Sequence, residues 1–200
     1  MAGMRTGNKH KENLKSIFQR REPKRIAFNS ADYRQACVLL PLYLNDGRFW
    51  LLLTQRTTTV EYHKGEVSFP GGTVDSIDES WERTAIRETF EEIGVREKDI
   101  ELLGQLDDMT TLTSQFIIHP FVGMIPYPYS FRINRREVER LIEVPLQFFF
   151  NPSQPQPHTI EYKGKSLEMP AFIYGDAVIW GATERILENF IGLIGQGMEW

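Results

Sequence analysis

The chain has 200 residues, 41% of them hydrophobic, and a formal net charge of −4. That length and apolar content suit one globular domain with a substantial core. So mild a charge argues against a general nucleic-acid binder, and no apolar run is long enough to cross a membrane as a helix.

The charge is unevenly spread. Residues 1–25 hold eight of the 23 basic residues and only two of the 27 acidic ones. This marks 1–30 as a basic arm, helical over 10–20 and ending before Pro23, ahead of a domain over 31–200. A solvated helix is the ordinary use of such an arm, and contact with a phosphorylated ligand or a partner ranks below it. Cys37 is the single cysteine and lies in an apolar run. It reads as a buried structural thiol with no intrachain disulfide open to it. With no apolar signal segment at the N-terminus, the expectation is a soluble, cytoplasmic protein.

The first strand signal covers 35–44, and Asn45-Asp46-Gly47 offers a hairpin turn into a second strand at 48–55. A polar loop at 56–64 and a short strand at 65–69 lead to the pair Gly71-Gly72. Asp78 is the predicted N-cap of a helix over 79–93. Strands are predicted at 100–106 and 116–125, a loop at 126–129 and a short helix at 135–142. Pro-rich 151–157 reads as a loop, 159–162 and 167–174 as a hairpin across Lys163-Gly164-Lys165, and 183–194 as an amphipathic helix. Trp180 and Phe148-Phe149-Phe150 read as packing residues. The mixture implies a sheet-centred α/β fold.

The helix over 79–93 carries the chemistry. Arg87-Glu88-Thr89-Phe90-Glu91-Glu92-Ile93-Gly94 places Glu88, Glu91 and Glu92 within an arc of about 100°. Ile86, Phe90 and Ile93 are expected on the opposite, buried face. Three like charges so close destabilise a helix unless a cation or proton compensates. Arg87 lies one turn before Glu91 and could hold it, and Gly94 offers the left-handed residue that ends a helix. The five fixed letters of R-E-x-x-E-E-x-G arise by chance in roughly one such chain in several thousand. Hard oxygen donors of this kind suit Mg²⁺ or Mn²⁺.

This stretch resembles the signature helix of the Nudix hydrolases, R-E-U-x-E-E-x-G-U with U apolar, except that Thr89 takes the first apolar position. The resemblance implies a Nudix-type α/β/α sandwich with a mixed β-sheet. It also implies a metal set of Glu88, Glu91, Glu92 and the carbonyl of Gly72, an orienting Arg87, and Glu79 as the first glutamate of the box. The general signature puts five residues between that glycine and that glutamate; here there are six, the residues from Thr73 to Asp78.

The extra residue, with Asp75 and Asp78, is similar to the coenzyme A pyrophosphatase branch, whose upstream pattern is L-L-T-x-R-(S/A)-x3-R-x3-G-x3-F-P-G-G. The chain supplies Leu52-Leu53-Thr54-Gln55-Arg56-Thr57, Gly65 and Phe69-Pro70-Gly71-Gly72 at that spacing. Glu137-Val138, Val144-Pro145-Leu146 and Trp180-Gly181-Ala182-Thr183 are further landmarks. The branch implies metal-dependent hydrolysis of coenzyme A or an acyl derivative to the 3′-phosphorylated adenosine nucleotide and (acyl-)4′-phosphopantetheine. Arg56, His63 and Lys64 are then expected to bind substrate, and the proton acceptor is sought first among Glu88, Glu91 and Glu92, with Glu137 behind them.

Glu61 stands where the branch has its second arginine, which reverses the charge offered to a phosphate. The same reaction on ADP-ribose, dinucleotides or nucleotide sugars therefore stays open, as does a non-catalytic nucleotide sensor. The expected partner is a small nucleotide, with neither nucleic acid nor membrane, and a homodimer is left open.

Overall fold

The computed structural model describes residues 2–27, 33–57, 65–111, 115–162 and 164–195. Strand β1 (Arg34–Asn45) turns through Asp46 and Gly47, both at positive φ, into the antiparallel β2 (Arg48–Arg56). Two short strands, β3 (Val67–Ser68) and β4 (Gly71–Thr73), precede helix α2 (Trp81–Ile93), while helix α1 (Ala2–Gln19) comes ahead of the sheet. Strands β5 (Glu101–Gln105), β6 (Met109–Thr110), β7 (Phe116–Met124) and β8 (Val138–Pro145) complete the main sheet. Its central order is β3-β2-β1-β7-β5, with β4 on β1, β6 on β7 and β8 on β2. The pair β1/β7 is parallel and the other pairings in it are antiparallel, so the sheet is mixed.

Side-chain alternation along β1 sorts the layers. Cys37 and Leu39 face Ala85 of α2 with Phe121 of β7, whereas Leu40 and Leu42 join a larger cluster with Leu14 and Phe18 of α1. That cluster also takes Ile186, Leu187 and Phe190 from helix α3 (Gly181–Gly195). Helices on both faces of a mixed sheet give the expected α/β/α sandwich. Cys37 is a buried free thiol, and burial pushes its pKa up to about 12.

A second antiparallel sheet runs β11-β10-β9, from β9 (Gln156–Tyr162), β10 (Lys165–Tyr174) and β11 (Ala177–Trp180). Its β9/β10 hairpin is the one expected from the sequence. Phe148-Phe149-Phe150 lies in a short 3-10 turn with Phe149 edge-on to Phe172, a packing role as expected. Among the described residues no helix is long and apolar enough to cross a membrane.

Three expectations are corrected. The segment 135–142 does not form a helix. Val138, Ile142 and Val144 are buried while Glu139 and Glu143 are exposed, and this alternation builds β8 against β2. Helix α1 starts well before residue 10 and sets Leu14 and Phe18 into the core. Finally, Ser80 caps α2, its hydroxyl accepting from the Arg83 amide at 3.3 Å, which frees Asp78 for other bonds.

Candidate metal and phosphate site

Helix α2 is fastened at both ends. At its start, the Trp81 ring stacks on His119 of β7 with centroids 3.5 Å apart, and its Nε1 donates to Gln35 at 2.8 Å. Burial lowers the pKa of His119, so the neutral ring donates from Nδ1 to Asp108 at 2.8 Å. At its end, Gly94 is left-handed (φ 75) and its amide bonds back to the Phe90 carbonyl.

The helix is rolled relative to the face expected for it. Phe90 is 54% exposed, and Ile86 is half-buried on the wall of a surface groove with Ile77. Of the three apolar residues expected to face inward, only Ile93 is fully buried. The inward face instead holds Thr84, Ala85, Thr89 and Glu92. Its hydroxyls are spent locally: Thr89 donates to the Ala85 carbonyl at 2.7 Å and Thr84 to Asp78 at 2.8 Å. Thr89 therefore fits an apolar position, because its one polar hydrogen is satisfied within the helix.

The roll puts the carboxylates in three different environments. Glu91 is exposed and Glu88 is half-buried beneath the β4 backbone, so close that a Cβ on Gly72 would lie 2.4 Å from Glu88 Cδ. Glu92 is 3% exposed and its Oε2 has no hydrogen-bond partner among the described residues. Burial drives its pKa up to about 8, aided by the charges of Glu137 and Glu88 and opposed by Arg56 and the Gly71 amide. Burial also raises Glu88, against the pull of Arg87.

Arg87 spans the group. Its Nε and Nη2 donate to Asp78 at 2.9 Å each, its Nη1 to Glu88 at 2.8 Å and to Glu91 at 3.3 Å, and its Nη2 also to the Thr73 carbonyl at 3.3 Å. The fork holds Asp78 well below the usual carboxylate range.

Arg56, at the end of β2, brings Nη1 within 3.9 Å of Glu92, and its buried Nε has no partner among the described residues. His63, Lys64 and Glu61 lie outside the described residues. Glu137 joins from the other side: the Asn134 side chain donates to its Oε1 at 3.0 Å, and the Asn134 amide donates to the Glu92 carbonyl at 2.8 Å. Asn134 gave no signal in the sequence, because strand pairing alone carries it to the end of α2. Asp78 was visible as a cap and as a match to the branch pattern, but its bonds to Arg87 were not.

Among the described residues no three His, Cys, Asp or Glu side chains are spaced to hold a metal ion as they stand. In this arrangement Arg87 donates to both Glu88 and Glu91. A divalent cation nevertheless fits this donor set. Among the described residues a buried carboxylate oxygen lacks a partner, the neighbouring acids are hard donors, and glycine at 72 leaves room for the Glu88 carboxylate against the backbone.

Residues 33–161 match the family model described as NUDIX domain. A protein of Photorhabdus laumondii named "Uncharacterized Nudix hydrolase NudL" is 34% identical over 167 residues, covering 84% of this chain and 87% of that protein. One of the same name from Salmonella heidelberg is 34% identical over 180 residues, covering 90% and 92%. Among solved structures, a MutT/nudix family protein from Enterococcus faecalis superposes with a TM-score of 0.56 at 18% identity, covering 92% of this chain and 69% of that one. A C. elegans Ap4A hydrolase binary complex gives 0.53 at 16% identity, covering 82% and 98%. The fold, the matched family and relatives alike over nearly their whole length agree, and the chain belongs to the Nudix hydrolases.

Proposed function

We propose that the chain is a pyrophosphohydrolase that cleaves a nucleoside-diphosphate linkage with Mg²⁺ or Mn²⁺, and that its substrate is coenzyme A or an acyl derivative. The observation that carries this reading is the buried, unpartnered oxygen of Glu92 beside Glu88 and Arg56. Glu88, Glu91 and Glu92 would hold the metal, with the Gly72 carbonyl as a further ligand.

Such an ion neutralises phosphate charge and acidifies a bound water for attack at phosphorus. The residues supply the rest. Arg87, locked by Asp78, sets the orientation of Glu88 and Glu91 and gives up part of its contact with them when a cation is bound. Arg56 offers its buried, unpartnered Nε–H and its Nη1 to a phosphate oxygen. The attacking water's proton passes to a carboxylate of the Glu88–Glu92 cluster. Glu137, fixed by Asn134, lies near enough for its charge to raise the pKa of both Glu88 and Glu92. His63 and Lys64 are proposed to extend the phosphate-binding side.

Glu61 in the branch's arginine position favours a second reading, hydrolysis of ADP-ribose, a dinucleotide or a nucleotide sugar. Product identity separates the two. The first reading expects adenosine 3′,5′-bisphosphate and 4′-phosphopantetheine from coenzyme A. Faster release of AMP and ribose 5-phosphate from ADP-ribose would replace it with the second, and nucleotide binding without turnover would replace both with a sensor.

A further inference from the structure

The turn before β8 is tied to the site on two sides. On one side it lies over the end of α2, where the Arg132 amide donates to the Ile93 carbonyl at 2.9 Å and the Asn134 amide to the Glu92 carbonyl at 2.8 Å. The seat is tight, since a Cβ on Gly94 would stand 2.7 Å from the Arg132 Cβ. On the other side it meets the residue after Arg56. The Thr57 amide donates to the Glu137 carbonyl at 2.9 Å and the Thr57 hydroxyl to the Arg136 carbonyl at 3.1 Å.

This anchored turn carries Arg135 and Arg136 immediately before Glu137, both exposed. The Arg135 guanidinium donates to the Glu139 carbonyl, and the Arg136 guanidinium has no hydrogen bond or ion pair among the described residues. Three other arginines near α2 differ in this respect: Arg83 is committed to Glu97, Arg87 to Asp78 and Arg96 to Asp99.

We propose that Arg136, with Arg135 beside it, forms a phosphate subsite on the rim of the Glu88–Glu92 site, one that selects nucleotides bearing a phosphate monoester in addition to the diphosphate. The assignment rests on the hydrolase reading above and deepens it. An unpaired guanidinium can meet a phosphate with two charge-assisted hydrogen bonds, and a backbone already fixed at both ends loses little freedom in doing so. Acids on the floor and arginines on the rim separate metal binding from recognition of the ligand's outlying charge. The rim also supplies, from another segment, positive charge of the kind that Glu61 does not.

The test is calorimetric titration, in Mg²⁺, of adenosine 3′,5′-bisphosphate and of AMP into the wild type, Arg136→Ala, Arg136→Lys and the double variant Arg135→Ala/Arg136→Ala. Circular dichroism checks that each is folded. The wild type is expected to prefer the bisphosphate about tenfold or more. The ratio should fall towards one in the double variant and recover in part in Arg136→Lys. A wild type without preference, or a preference that survives the double variant, overturns the subsite. Turnover of coenzyme A and its 3′-dephospho form is read in parallel. If neither is hydrolysed while the binding preference depends on Arg136, the coenzyme A reading fails and the subsite stands.

Discussion

Arg87 and Asp78 meet edge to edge, Nε on Oδ1 and Nη2 on Oδ2, both at 2.9 Å. The remaining Nη1 is thereby aimed at Glu88 and Glu91. Asp78 also accepts from the Thr84 hydroxyl and the Asp75 amide, so it is fixed before it fixes Arg87. Asp78→Asn leaves the shape but replaces one acceptor by a donor facing the guanidinium. Turnover should fall about 10- to 100-fold, mostly in kcat, with smaller change in KM. Steady-state kinetics checks the split; a pure KM effect would mean that Asp78 acts on substrate binding instead.

The roll of α2 makes a prediction about stability. Phe90 is 54% exposed and Ile93 is fully buried. Phe90→Ser should cost less than about 1 kcal/mol, and Ile93→Ala about 2–5 kcal/mol. Urea unfolding of the two variants compares them directly, and equal losses would contradict the roll.

Glu92 illustrates a functional group that does not favour the fold. Its carboxyl is buried with one oxygen unpartnered among the described residues and a pKa pushed up to about 8. At pH 7 it is mainly protonated, so Glu92→Gln is nearly isosteric and should leave stability within about 1 kcal/mol. Thermal unfolding without metal checks this.

Glu184 of α3 gives a pH dependence away from the site. It is 1% exposed and its pKa is raised from 4.5 to about 7, by burial first and then by Glu188. A raised folded-state pKa means that the native protein binds more protons than the unfolded chain between those values. This contribution to stability is therefore full below pH 4.5 and is lost as pH rises towards 7. Glu184→Gln should remove that slope and be more stable than the wild type at pH 8 by about 1–3 kcal/mol. Denaturation at pH 5 and pH 8 tests the sign; a variant less stable at pH 8 would contradict it.

Much of this arrangement was legible in the sequence. Strand alternation, the Asn45-Asp46-Gly47 turn and the spacing of the acidic residues lead to β1, β2 and α2. Periodicity misled at two places because tertiary contacts outweighed it. A helical wheel assigns Phe90 to the core, yet Trp81 on His119 and the β4 backbone over Glu88 set a different roll. A short helix was expected at 135–142, but pairing with β2 draws Val138, Ile142 and Val144 to one face. Glu137 was already a candidate from the sequence, whereas Asn134 could not be placed near α2 without knowing that pairing.

The claim that α2 holds the metal for hydrolysis is tested most directly by following coenzyme A by mass spectrometry with wild type and Glu92→Gln, each with and without Mg²⁺ or Mn²⁺. The account predicts adenosine 3′,5′-bisphosphate and 4′-phosphopantetheine from the wild type only when metal is present, with Glu92→Gln slower by about 100-fold or more. Cleavage at equal rates without metal, or by a folded Glu92→Gln, would contradict it.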